Sequence, residues 1–253
     1  MTETAFIRVL LYVWLGVAGA TAVALLFISA PYGRHRRRGW GPELPARLGW
    51  LLMEAPAPLL YLSLFLASPR TVEPVNLVFC ALWLLHYLYR AFIYPFLIRD
   101  RGKTMPVAVM GMAVLFNLVN AYTNSRWLNA LGPPREAAWL SDPRFIVGCL
   151  LFLLGLLTHL RADARLRSLR RDGGTGYAIP RGGLFRWVSC PNYLGEIAQW
   201  SGWALLTWSL PGLVFAVWTA ANLVPRALSH HRWYRDTFPD YPTNRRAVFP
   251  GIL

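Results

Sequence analysis

The chain has 253 residues, of which 55% are hydrophobic and only 15% charged, and its formal net charge is +14. Soluble domains carry roughly 25% charged residues, so this chain lacks the polar surface to enclose its own core in water. The positive charge, mostly arginine, fits nucleic acid, anionic lipid or a phosphate-bearing ligand, and only its position along the chain separates these.

A membrane helix needs about 20 mostly apolar residues. In chain order, residues 9–30 carry no charge, and residues 48–67 are apolar except for Glu54. Residues 75–98 are interrupted by His86 and Arg90, and residues 105–124 are uncharged but hold Asn117 and Asn120. Residues 145–160 end beside His159, residues 188–210 contain Glu196, and residues 211–230 follow almost without a loop. The pattern predicts an all-α polytopic membrane protein. Its seven transmembrane helices enclose a cavity, with residues 1–253 as one domain and a Pro-Gly turn between the last two spans. The first thirty residues read as a retained span, because a basic leading segment and a small-residue cleavage site are both missing.

The basic residues then sort by loop. Arg34, Arg36, Arg37 and Arg38 follow the first span; Arg99, Arg101 and Lys103 follow the third. Seven arginines lie between 161 and 186, and Arg226, Arg232, Arg235, Arg245 and Arg246 follow the apolar part of the seventh span. The alternate loops are poorer. Cationic loops stay in the cytoplasm, so the N-terminus is expected outside and the C-terminus inside. If the source is bacterial, the membrane is the inner one. Topology accounts for much of the charge, and no nucleic-acid partner is expected.

Polar residues inside spans cost about 2.5–3.5 kcal/mol each when ionisable, so they face the bundle interior rather than lipid. Glu54 is one such residue, a packing hydrogen bond or a ligand contact. Tyr87 and Arg90 share a helix face, as do Asn117 and Asn120. Arg90 can snorkel or pair with a carboxylate. Asp163, Arg167 and Arg170 form a stripe on a helix leaving the fifth span. Their guanidinium forks suit either an anionic lipid surface or a ligand with several phosphates. Cys80, Cys149 and Cys190 are isolated and read as small buried hydrophobes. The "GGTG" at 173–176 follows a helix rather than a strand, which removes a Rossmann reading. No metal-ligand spacing and no acyl-transfer motif is present, so no metal is expected.

Several blocks together carry a family resemblance. "GYAIPRGGLFRWVSCPNYLGEIAQWSGWALLTWSLP", "LLMEAPAPL", "LHYLYRAFIYPFLIRDRGK", "DARLRSLR" and "RALSHHRWYRDTFPDYPTNRRAVFPGIL" run in order along nearly the whole chain. They resemble the membrane steroid 5α-reductases, the 3-oxo-5α-steroid 4-dehydrogenases. The likeness is greatest to the type-2 branch, and the chain reads as a bacterial homologue. The resemblance implies a seven-helix enzyme that uses NADPH to reduce the C4–C5 double bond of a 3-oxo-Δ4 steroid. The family residues that hold the steroid carbonyl fall on Glu54 and Tyr87, with Arg90 beside the substrate. Its cofactor positions fall on Asn120, His159, Asp163, Arg167, Arg170, Tyr177, Asn192, Glu196, Arg226, His230, Tyr234 and Arg245. Two positions depart from the family pattern: His159 replaces a frequent asparagine, and Gln199 a frequent glutamate.

Hydride attack at C5 pushes electrons to the C3 oxygen, and a donor aimed there stabilises the enolate-like transition state. Tyr87 suits that role, with Glu54 donating as well or fixing the phenol. The expected partners are a steroid arriving from the lipid phase and the membrane lipids themselves, with the enzyme a monomer. The nearest alternative is a related reductase acting on a polyprenol, an enoyl lipid or another sterol double bond. An isoprenylcysteine methyltransferase shares a Pro-x-Tyr-x-Gly block but fits the Asp/Arg helix less well. A non-enzymatic lipid-binding protein leaves Glu54 and Tyr87 without a reason.

Overall fold

A computed structural model describes residues 1–31, 33–35, 39–98, 102–169 and 177–253. In chain order it contains α1 (Glu3–Phe27), β1 (Glu43–Pro45), α2 (Ala46–Glu54), α3 (Pro56–Leu66), α4 (Pro74–Leu88), α5 (Tyr94–Leu97) and β2 (Thr104–Pro106). Then come α6 (Val107–Arg126), α7 (Pro143–Ser168), α8 (Pro191–Thr207) and α9 (Leu210–Thr237). Single π-helical turns, Tyr89–Ile93 and Trp127–Leu131, continue α4 and α6.

Among the described residues, six helical stretches are long and apolar enough to cross a membrane: Glu3–Phe27, Ala46–Leu66, Pro74–Leu97, Val107–Leu131, Pro143–Ser168 and Leu210–Thr237. The first is apolar on all sides, with Val9, Val13, Val23 and Phe27 exposed, as lipid contact requires. The expected sixth span, α8, has 17 residues. It rises only about 26 Å, less than a hydrocarbon core of about 30 Å. The expected Pro-Gly turn is also displaced. Pro211 and Gly212 lie in the first turn of α9, where proline is tolerated because its missing N–H has no helical acceptor. The chain reverses instead at Trp208, whose φ is 40°.

By contacts the chain divides into two compact units. The first comprises Met1–Tyr12, Ala30–Ile146 and Thr207–Pro211. Within it, β1 and β2 pair antiparallel, Leu44 facing Met105. The pair is extended by Ala46 N–H to Lys103 C=O and Val107 N–H to Pro42 C=O. It therefore starts α2 and α6 side by side. Glu54 then stands about 12 Å up α2, and Asn117 about 15 Å up α6, at matching heights. The break after Glu54 is set by Pro56, which has no N–H to donate and whose ring opposes the preceding turn. A buried stack of Tyr61 on Trp83, centroids 4.6 Å apart, fills the centre of this unit. The Trp83 indole donates to Ala57 C=O, so no polar atom of that ring is wasted.

The second unit comprises Val13–Ser29, Val147–Leu206 and Gly212–Leu253. Here α7 and α8 pack backbone to backbone through glycines. A Cβ built on Gly195 would lie 2.5 Å from His159 N, and one on Gly202 would lie 2.5 Å from Phe152 N. Gly148 faces Leu206 N at 2.5 Å, and Gly155 faces Gln199 N and Gly195 O. Gly148 and Gly155 are seven residues apart, as are Gly195 and Gly202, which is the spacing of one seam between two helices. The C-terminal tail lies along the approach to α8. Arg246 N–H donates to Trp187 C=O, and the N–H groups of Ser189 and Cys190 donate to the carbonyls of Arg246 and Ala247. Ala247 and Val248 are buried there with Cys190, Ile197, Leu223 and Ala227.

Candidate active site

In the first unit the polar residues of three helices meet. Glu54 and Tyr87 are both buried. Glu54 is held from two sides. Arg90 Nε donates to Glu54 Oε1 at 3.2 Å, and Asn117 Nδ2 reaches Oε2 at 3.4 Å while donating to Met53 C=O at 2.6 Å. The π-helical turn that carries Arg90 precedes Pro95, whose missing N–H already disturbs the ladder. The Arg90 guanidinium lies against two aromatic rings that meet edge-on, 4.6 Å from the Trp50 centroid and 5.2 Å from that of Tyr94. A cation held on ring faces and a carboxylate is positioned with little freedom.

One helical turn further along α6, Asn120 Nδ2 donates to Tyr87 Oη at 3.4 Å. The Asn120 side-chain oxygen accepts from Asn124 at 2.9 Å, which fixes the amide orientation. A phenol oxygen that accepts from Asn120 has its own proton to give. Rings of Trp83 and His86 pack 4.8 and 4.9 Å from the Tyr87 ring and limit its rotation. Asn120, expected among the cofactor contacts, therefore lies against Tyr87.

In the second unit His159 is almost fully buried between two carboxylates. Its Nδ1 lies 3.2 Å from Glu196 Oε1 and its Nε2 lies 3.6 Å from Asp163 Oδ2. Asn192 Nδ2 donates to Asp163 Oδ1 at 3.2 Å. Glycine-mediated contact of α7 and α8 brings these four residues together. A further node joins α8 to α9: Arg226 Nη2 donates to Tyr193 Oη at 3.0 Å, and the phenol lies 3.0 Å from His230 Nε2.

The remaining expected residues sit on α7, on the approach to α8 and on the C-terminal side. Tyr234 stacks on Tyr241 at 5.2 Å, and Arg245 lies over the other ring at 5.1 Å. Arg245 is 5% exposed, and its Nε and Nη1 have no hydrogen-bond acceptor among the described residues. Tyr177 is exposed and meets Trp233 edge-on at 5.1 Å. Arg167 is half-buried on α7. Arg170, like the glycines at 173–176, lies outside the described residues.

A buried guanidinium with free donors suits a phosphate oxygen, since burying charge without a partner is costly. Asn192, Glu196 and Asp163 supply the acceptors and donors that a carboxamide and ribose hydroxyls need. The residues present thus fit a nicotinamide dinucleotide. Several members of these clusters escape a reading of the sequence. In the sequence Asn117 only shares a helix face with Asn120, and Tyr193 carries no role of its own. The signal for the glycine seam is the repeated seven-residue spacing on two consecutive apolar segments.

Each unit thus carries a buried polar cluster, in a chain whose long apolar helices fit a polytopic membrane protein. A family model for 3-oxo-5-alpha-steroid 4-dehydrogenase matches residues 103–253. Steroid 5-alpha-reductase DET2 of Gossypium hirsutum is 43% identical over 240 residues, covering 93% of each chain. The 3-oxo-5-alpha-steroid 4-dehydrogenase 1 of Bos taurus is 39% identical over 257 residues, covering 100% of this chain and 99% of that one. The human type-1 protein is 38% identical over 255 residues, covering 100% and 98%. The chain belongs to the 3-oxo-5-alpha-steroid 4-dehydrogenase family, oxidoreductases of CH–CH bonds that use a nicotinamide cofactor. These relatives are plant and mammalian, and the mammalian ones are type 1. They lend no support to a type-2 branch or a bacterial source.

Proposed function

We propose that the chain reduces the C4–C5 double bond of 3-oxo-Δ4 steroids, such as testosterone or progesterone, to the 5α-reduced ketones, with NADPH as reductant. The observation that carries this reading is the pairing of Tyr87 with Asn120 beside Glu54 with Arg90 and Asn117, in a chain about 40% identical to named steroid 5-alpha-reductases over nearly its whole length.

Bound NADPH supplies the hydride that adds at steroid C5. As electrons move toward the C3 oxygen, Tyr87 donates its phenolic hydrogen bond to the developing enolate. Asn120 holds the phenol oxygen from behind. Glu54 is neutralised and oriented by Arg90 and Asn117, and it fixes the polar end of the steroid. A proton added at C4 completes the reduction. The second unit binds the cofactor: Arg245 and Arg167 meet phosphates, while Asn192, Glu196, Asp163, His159, Arg226, His230, Tyr234 and Tyr177 hold the nucleoside and nicotinamide portions. The choice of NADPH over NADH is supported by the number of arginines on this unit.

The expected seven spans and enclosed cavity belong to the same proposal. Its support is the length of α8, whose 17 residues fall only slightly short of a bilayer. The loop charges support an N-terminus outside and a cytoplasmic C-terminus, where NADPH is available. The steroid enters from lipid, and the working unit is a monomer. The test is NADPH oxidation by the detergent-purified protein with testosterone, progesterone and androstenedione, and with a polyprenol as contrast. Oxidation with the steroids and formation of the 5α product is expected. Silence with every 3-oxo-Δ4 steroid would overturn the reading.

A further inference from the structure

The side of α7 turned away from His159 and Asp163 has no part in the function above. On a helix, Arg161 and Arg165 are four residues apart and share one face. His159 and Asp163 are also four apart but displaced by two positions, about 200° around the axis. The Arg161 face lines a cleft of about 850 Å³ together with Thr158, Gly182, Leu184 and Phe185. Its position along the helix is defined by the apolar run, which ends at Leu157 and Leu160. The two arginines occupy the next two turns, the level at which a bilayer changes from acyl chains to headgroups.

The walls of the cleft are of two kinds. Phe185 is buried and Leu184 is exposed, and the adjacent Trp187 is 58% exposed, the placement of an interfacial tryptophan. Opposite them, neither Arg161 nor Arg165 has an acidic partner among the described residues. Asp163, the nearest acid on α7, is engaged by His159 and Asn192 on the other face. Arg181, also at the cleft, already pairs with Asp240 at 3.4 Å. The Arg165 guanidinium is packed against Gly182: a Cβ there would come within 2.8 Å of Nη2. Gly182 has a φ of +82°, so a side chain is disfavoured by the backbone as well. A glycine thus leaves room for an extended arginine at the mouth of a cleft with an apolar floor.

We infer that this cleft is a binding site for an anionic phospholipid, its phosphate held by Arg161 and Arg165 and one acyl chain lying against Leu184 and Ile179 above the buried Phe185. A soluble phosphate would use the arginines alone and leave the apolar wall unexplained. A basic pocket beside a transmembrane helix at headgroup depth matches both ends of a lipid.

The protein is reconstituted in phosphatidylcholine nanodiscs with and without phosphatidylglycerol, and lipid retained after delipidating detergent washes is identified by native mass spectrometry. Wild type is expected to retain phosphatidylglycerol and to melt at a higher temperature with it than with phosphatidylcholine alone. Arg161→Gln and Arg165→Gln are each expected to weaken retention about fivefold, and Arg165→Lys to restore part of it. NADPH affinity is expected to be unchanged in all three. Equal retention of the two lipids, or undiminished retention in both glutamine variants, overturns the inference. Stabilisation by inorganic phosphate equal to that by phosphatidylglycerol replaces the lipid with a free anion and overturns it too. A matching loss of NADPH affinity assigns the cleft to the cofactor and does the same. Gly182→Ala provides a separate check, because it crowds Arg165 without removing charge, and it should reduce phosphatidylglycerol retention.

Discussion

At the scale of single residues the division of labour is sharp enough to be separated by measurement. Tyr87 has a phenol oxygen accepting from Asn120 and a proton to give, so Tyr87→Phe removes a donor and little volume. A lost oxyanion-type donor costs about 10²–10³ in turnover. We expect kcat for testosterone reduction to fall by about that factor while NADPH affinity, read by fluorescence titration, stays within twofold or so. A collapse of cofactor affinity would mean that Tyr87 serves the other site. Arg245 makes the opposite prediction. Its buried Nε and Nη1 have no acceptor among the described residues. A charge-assisted hydrogen bond is worth about 1.5–3 kcal/mol, so Arg245→Leu should weaken NADPH binding by about ten- to a hundredfold. At saturating NADPH its kcat should be nearly intact. Both residues are reached through the family likeness. That Glu54 is paired with Arg90 was only one of two options in the sequence, because the π-helical turn that aims Arg90 has no sequence mark of its own beyond Pro95.

Elements were legible where hydropathy alone decides them. The apolar runs at 9–30, 48–67, 75–98, 105–124 and 145–160 all became helices, with ends displaced by a few residues. α7 runs to Ser168, past the apolar run, because Arg, Ala and Leu favour helix even where lipid no longer demands it. The turn before α9 was misplaced because Pro-Gly announces a turn more loudly than Trp208, which makes it. The glycine seam between α7 and α8 was not read from the sequence at all, yet it sets where His159, Asp163, Asn192 and Glu196 meet. Gly155→Ala would drive a Cβ to within 2.6 Å of Gly195 O and closer still to Gln199 N. Overpacking of this kind costs about 1–3 kcal/mol or more, so the thermal midpoint in detergent should drop by several degrees and NADPH binding with it. Gly16→Ala on α1 meets nothing within 4 Å and should leave the midpoint unchanged. The start of α7 gives a pH signature. Asp142 caps it through Arg144 N–H at 2.8 Å, and hydrogen bonds from the Arg144 side chain hold the carboxyl at about 2, below its ordinary 3.8. A depressed carboxyl stabilises the fold fully above its unfolded value and loses that contribution as pH falls from about 4 to about 2. Thermal midpoints measured across that window should fall less steeply in Asp142→Asn than in wild type.

For the molecule as a whole, the number of crossings decides on which side of the membrane each end lies. Among the described residues six apolar stretches are long enough to span, and an even number returns the C-terminus to the side of the N-terminus. Adding α8 makes seven and separates them. Its 17 residues fall about 4 Å short of the hydrocarbon thickness, a mismatch that local thinning or snorkelling flanks accommodate at a fraction of a kcal/mol per Å. Against that small cost stands the placement of charge. With seven crossings the arginine-rich segments after α1, after α5, along the end of α7 and after α9 all face one compartment. With six, the C-terminal segment, including Arg232, Arg235, Arg245 and Arg246, moves to the side opposite the arginines at the end of α7. Translocating that segment opposes the bias that sets membrane orientation. It would also part Arg245 and Arg246 from Trp187 and Ser189, whose backbone groups the tail bonds directly. Epitope tags placed before Met1 and after Leu253 should therefore differ in intact cells: the first open to added protease, the second protected until the membrane is permeabilised. Equal protection or equal cleavage of the two tags would show that α8 does not cross.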